Sequence, residues 1–139
     1  MNMQSLATTW APRILSLLRI MTGLLFLEHG LAKIFDFPHG GFPGAPVPLA
    51  NILGVSALLE LVGGAFIALG LFTRPVAFIL SGEMAVAYFL AHAPQGFFPI
   101  LNHGEPAILY CFIFLYLFAA GAGVWSLDQV LAGRRPAAT

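Results

Sequence analysis

Charge is what this chain has least of. Only 9% of its 139 residues are Asp, Glu, Lys or Arg, against 59% that are hydrophobic, and its mean hydropathy is +0.89. A soluble domain carries roughly 25% charged residues to cover its surface, so this composition belongs to a chain whose solvent is lipid. Six basic side chains balance six acidic ones, which leaves no basic patch for nucleic acid. Cysteine is nearly absent. Cys111 stands alone, excluding an intramolecular disulfide, a C-x-x-C redox pair and a thiolate metal cluster. No metal motif and no cofactor motif is evident, so electrons for any redox chemistry would come from a bound cofactor or a partner. A small-residue cleavage site is missing after the first apolar stretch, which therefore reads as a retained span rather than a signal peptide. Internal repeats and low-complexity tracts are missing as well.

What is present is four apolar segments: Ile14 to Phe35, Ala50 to Phe72, Pro75 to His92 and Glu105 to Val124. Each is about the 20 residues that a helix needs to cross the hydrocarbon core. Strands would be shorter and would alternate. The expected fold is an all-α, antiparallel bundle of four transmembrane helices in one domain, residues 1–139. Turn chemistry marks the breaks. Residues 37–48 hold Pro38, Pro43, Pro46 and Pro48 with Gly40, Gly41 and Gly44. Thr73 is placed to cap the third helix, with Pro75 in its first turn, and Asn102 and Pro106 to do the same for the fourth. The short turn at Thr73 implies a tight antiparallel hairpin. Arg13, Arg19, Arg74, Arg134 and Arg135 cluster at one side, while the connections 36–49 and 93–103 contain no Lys or Arg. The positive-inside rule then puts both termini in the cytoplasm. Lys33 alone breaks the pattern.

Ionisable groups inside a span cost at least about 2.5 kcal/mol near the bilayer centre, so they face the bundle interior and pair, or they serve a function. Glu60 lies roughly 15 Å below the start of the second helix and Glu83 roughly 12 Å above the start of the third, counting the helical rise. Both fall near mid-membrane, where they would be protonated or matched to Arg19. A structural hydrogen bond and a protonatable site are both open readings. His29 and Lys33, four residues apart, share one face of the first helix. Arg19 points to nearly the same side, and Glu28 to the opposite one, which leaves Glu28 to another helix or to a second subunit of a homo-oligomer. His92, His103 and Glu105 gather at the same mouth. A bis-histidine haem between His29 and His92 is geometrically conceivable, but histidines near helix ends are more often interfacial hydrogen-bonding groups. The run Gln95-Gly-Phe-Phe-Pro reads as an interfacial anchor, or as aromatic rings that hold a flat lipophilic molecule.

Taken in order, several of these stretches resemble the DoxX family of small bacterial and archaeal membrane proteins. They are Gly23-Leu-Leu-Phe-Leu-Glu-His29-Gly30-Leu-Ala-Lys33, Glu60-Leu-Val-Gly63-Gly64, Leu69-Gly70-Leu71-Phe72-Thr73-Arg74, His92 with Gly96-Phe97-Phe98, Gly104-Glu105, and Trp125-Ser126-Leu127-Asp128. Pro106 and Ala107 stand where many relatives have an aromatic residue. The resemblance implies a four-helix membrane bundle with links to redox chemistry: a small subunit of thiosulfate:quinone oxidoreductase, catechol and hydroquinone stress responses, and assembly with oxidative-defence enzymes. The resulting expectation is a multi-pass inner-membrane protein that binds a quinone-like or other lipophilic molecule and acts with an oxidoreductase partner. Its ligand-binding residues would be His29, Lys33, Glu60, Glu83 and His92, with Arg19, Glu28, His103 and Glu105 as further candidates. Two rivals stand beside it. One is a non-catalytic subunit that anchors a larger complex through small surfaces at Gly63, Gly64, Gly70 and Ala119 to Gly123. The other is a small-metabolite or proton permease, which needs a bundle open to both sides.

Overall fold

A computed structural model describes residues 2–133. Arg134 and Arg135, part of the charge asymmetry, lie outside the described residues. Among those described, every regular element is helical. In order they are α1 (Met3–Phe35), α2 (Ile52–Leu69), α3 (Thr73–Ala87), α4 (Pro99–Asn102), α5 (Glu105–Ala120) and α6 (Leu127–Gly133), with α3 prolonged by a π-helical turn at Tyr88–His92 and a 3-10 turn at Ala93–Gln95. Helices α1, α2 and the prolonged α3 are long and apolar enough to cross a membrane, and α5 is a shorter apolar helix, about 24 Å long at the helical rise. The chain is a helical membrane bundle. Its first helix starts at Met3 rather than Ile14, because the Asn2 side chain accepts from the Ser5 amide at 2.8 Å and caps an earlier turn.

Two helix starts are capped by other residues than the local sequence indicates. Thr73 lies inside α3, after Phe72 in the left-handed conformation (φ 49°). The cap comes from far along the chain. The Asp128 carboxylate accepts from the amides of Phe72 (2.8 Å) and Thr73 (2.9 Å). A carboxylate can take two orphan N–H groups at the positive end of the helix dipole, where a hydroxyl takes one. At α5 the capping position belongs to Gly104, and Asn102, fully buried, accepts from the Gly104 amide at 2.8 Å.

The closest helix pairs are α1 with α2 and α3 with α5. Glycine makes the first pair. A Cβ at Gly23 would lie 2.4 Å from the Ala68 nitrogen, one at Gly30 would lie 2.5 Å from the Leu61 nitrogen, and one at Gly64 would lie 2.6 Å from the Leu27 nitrogen. The backbones therefore touch along their length and run antiparallel, as small residues allow in membranes. In the second pair the Ser81 hydroxyl donates to the Cys111 carbonyl at 2.8 Å, and Arg74 donates to the Phe118 and Ala119 carbonyls at 2.7 and 2.6 Å. Phe26, Ile67, Leu80, Phe114 and Leu117 fill the centre.

The expected tight hairpin of α2 and α3 is tight only in its connection. The two helices pack on each other far less than on α1 and α5, meeting where Leu80 fills against Gly63. Gly63, Gly64 and Gly70 are thus occupied within the chain, by Leu80, by α1, and by Ser126 with Arg19 respectively.

Candidate ligand cavity

Space remains between the two helix pairs, in a cavity of about 790 Å³. Its walls are mostly apolar side chains of α2, α3 and α5, and Phe42 of the connection 36–51 joins them. That connection is tied down where the Val47 amide donates to the Lys33 carbonyl at 2.9 Å. His29, Lys33, Glu60, Glu83, His92 and His103 all line this one cavity.

Lys33 and Glu60 form its centre of charge. The ammonium donates to Glu60 Oε1 at 2.6 Å and to the Ser56 hydroxyl at 3.3 Å, and both charged side chains are buried. The Lys33 ammonium lies over the Phe42 ring, 5.4 Å from its centroid. Glu60 faces Lys33 because the antiparallel α1/α2 contact, with Gly30 against Leu61, brings position 60 level with position 33. The other carboxylate oxygen, Glu60 Oε2, is buried with no hydrogen-bond partner among the described residues, and so are both oxygens of Glu83. Ser56, Glu60 and Lys33 are the polar neighbours of Glu83. Unpartnered buried polar atoms are rare in folded proteins and call for an explanation.

The two histidines are oriented by backbone carbonyls. His29 Nδ1 donates to the Leu25 carbonyl at 2.9 Å, and His92 Nδ1 donates to the Asn102 carbonyl at 2.9 Å. Because a carbonyl can only accept, Nδ1 carries the proton on each ring, and Nε2 makes no hydrogen bond among the described residues. His29 also meets Tyr110 edge-on at 5.8 Å, and His92 stacks on Tyr88 at 6.3 Å. The π-helical turn at Tyr88–His92 widens the end of α3, an irregularity that often accompanies functional sites. Asn102 fixes the surrounding loop, donating to the Gly96 carbonyl at 2.8 Å while it holds Gly104. Tyr110 and Phe42 carry no motif; only their packing shows their part.

Three other candidates lie elsewhere. Arg19 does not meet Glu60 or Glu83. Fully buried at the opposite end of the bundle, it donates to the carbonyls of Ala122 (2.7 Å), Ile67 (2.6 Å), Ala68 (2.6 Å) and Trp125. The Ile67 and Ala68 carbonyls sit at the negative end of the α2 dipole, which favours a cation there; the Ile67 carbonyl also accepts from the Gly70 amide at 3.1 Å. Glu28 and Glu105 are exposed and do not line the cavity. Among the described residues no three His, Cys, Asp or Glu side chains converge as metal ligands. A second, shallower cavity beside Arg74 and Asp128 shares no lining residue with the first.

Residues 14–93, more than half of the chain, match the family model DoxX. A Haemophilus influenzae protein of unassigned function is 46% identical over 126 residues, covering 86% of this chain and 92% of its own. An uncharacterized membrane protein of Mycobacterium tuberculosis is 29% identical, covering 96% of this chain and 94% of its own. A Bacillus subtilis protein, CatD, whose name proposes an oxidoreductase, is 29% identical, covering 86% and 88%. No solved structure matches the chain at a significant level.

Proposed function

The chain belongs to the DoxX family, as a multi-pass protein of the bacterial inner membrane, and on that premise we propose that it binds a quinone-like lipophilic molecule and works with an oxidoreductase partner. The observation that carries this reading is a polar cluster set into an apolar cavity. Lys33, His29, His92 and two carboxyl groups, with His103, Ser56 and Tyr110, line walls that are otherwise apolar. Ligand sites have this character, at about 300–1,000 Å³ with a few convergent polar groups.

Each group has a part in this role. His29 and His92 present Nε2 to an oxygen on the ring of the ligand. Lys33, already neutralised by Glu60, places positive potential beside that oxygen. Glu83 and the free oxygen of Glu60 are positioned to take or return a proton, because each retains unused lone pairs. Reducing equivalents pass to or from the partner. The oxidoreductase name of CatD supports the redox side of the reading.

The rivals find less support. The glycines that would have served an anchoring interface are occupied inside the chain. A permease needs passage from end to end, but Arg19 and its four carbonyl partners fill the end opposite the cavity.

The reading is tested by calorimetric titration of a short-chain quinone, and of the matching quinol, into the protein in detergent. His29→Phe removes a cavity nitrogen and leaves the Lys33–Glu60 pair in place. A drop of about tenfold in affinity, equal to 1.4 kcal/mol, is expected. Measurable binding by the parent that is unchanged in His29→Phe and in His92→Phe would overturn the site. No binding by the parent would overturn the function.

A further inference from the structure

Gly82 has no structural reason to be glycine. It lies within α3, where glycine is about 1 kcal/mol less favourable than alanine. Its backbone has no positive φ, and a Cβ placed on it would meet nothing within 4 Å. The contrast with Gly23, Gly30 and Gly64 is complete, since each of those is pressed against a neighbouring backbone. Yet Gly82 lines the large cavity, one residue before Glu83.

The residues around it show what the space opens onto. Val55 on α2, Ile79 and Val86 on α3, and Leu90 in the π-helical turn that prolongs it line the cavity and are also 54–61% exposed on the outside of the bundle. In a membrane that outside is acyl chain. These side chains therefore form the rim of a gap between α2 and α3, which pack on each other far less than on α1 and α5. From Ile79 to Leu90 the rim extends about 16 Å along the helix, longer than a ring alone would occupy.

We propose that this gap is a lateral portal, through which the ligand enters from the bilayer rather than from water, and that Gly82 is its threshold and determines what passes. This rests on the cavity being a ligand site. The ligand class is an amphiphile with a polar ring for the Lys33 and Glu60 end and a hydrocarbon tail that lies over Gly82 and leaves between α2 and α3. Missing side-chain bulk at that position leaves room for the tail. The exposed aliphatic rim stays in apolar contact whether the tail is present or lipid replaces it.

Two benzoquinones with the same ring, one carrying a decyl chain and one without it, are titrated into the protein in nanodiscs. Concentrations are corrected for partition into empty nanodiscs. The decyl compound is expected to bind at least tenfold tighter. Gly82→Phe fills the portal from a position where no protein atom stands in the way, and should lower decyl-quinone affinity at least tenfold with the melting temperature held. Val62→Phe, on the exposed face of α2 outside the cavity lining, controls for an added aromatic and should leave affinity within twofold. Equal binding of the two quinones, or a Gly82→Phe variant that binds as the parent does, overturns the portal and leaves the cavity standing. Binding of neither quinone overturns both.

Discussion

Lys33 and Glu60 show how far single residues can be read. The sequence identifies both as interior groups, since isolated charges in apolar spans need partners. It does not identify them as each other's partner. Depth along the helices suggests Arg19 for the carboxylates, but partner choice depends on which faces of α1 and α2 meet, and glycine contacts at Gly23, Gly30 and Gly64 set that rotation. The same rotation turns Arg19 toward the carbonyls at the end of α2. Once the Lys33–Glu60 pair is formed and buried, removing one member strands the other. Lys33→Met is expected to destabilise the protein by about 3–5 kcal/mol. The double variant Lys33→Met with Glu60→Met should recover most of that loss, since a pair replaced by apolar groups of similar volume is often neutral. Thermal unfolding in detergent distinguishes the two. A double variant no more stable than Lys33→Met would show that the pair is not the interaction lost.

Elements depend on contacts that arrive from outside them. The four apolar segments are plain in the sequence, because hydropathy is local. The caps are not, because Asp128 reaches back 56 residues to the start of α3. The glycines divide in the same way, and only the packed structure says which are constrained. Gly30→Ala gains about 1 kcal/mol of helix propensity but forces a Cβ to 2.5 Å from the Leu61 nitrogen, and overpacking costs typically about 1–3 kcal/mol. The net expected result is a lower melting temperature. Gly82→Ala meets no neighbour and should raise it. Equal shifts in the two variants would contradict the packing described. In the connection after α1, the Gly40 amide and His39 hold the Asp36 carboxyl below its ordinary value of 3.8. A depressed carboxyl stabilises the turn fully above that ordinary value, and the contribution is lost as pH falls below it. The Gly40 amide should lose exchange protection over that acid range, and Asp36→Asn should flatten the change.

For the molecule as a whole, family and bundle class are legible in the sequence and the cavity is not. Hydropathy and motif order are properties of the chain, whereas a cavity is the space left after helices choose partners. His29, Lys33, Glu60, Glu83 and His92 can be named because each is a polar group in an apolar span. Tyr110 and Phe42 cannot, since aromatic residues near helix ends have many ordinary uses. The asymmetry of Lys and Arg predicts that the Arg74 turn faces the cytoplasm and the connection 36–51 the outside. A cysteine at Pro43, in a Cys111→Ser background, should react with a membrane-impermeant maleimide added to intact cells. Labelling that appears only after permeabilisation would reverse the orientation.

The Arg19 anchor has a mechanical consequence. One guanidinium fastens α1, the end of α2 and the segment after α5 together, and Asp128 fastens α6 to α3 at the same end. No comparable rivet joins α2 to α3 at the other end among the described residues. The helices are thus tied like a clothes peg at its spring, at Arg19, with the α2/α3 gap proposed as the portal for its jaws. A rotation about that end would open the α2/α3 gap most where it is farthest from Arg19, so the proposed portal would need no moving part of its own. Hydrogen exchange should map this lever directly, with protection declining along α3 from Ala77 toward Leu90, and Arg19→Leu should abolish the gradient by loosening the fixed end.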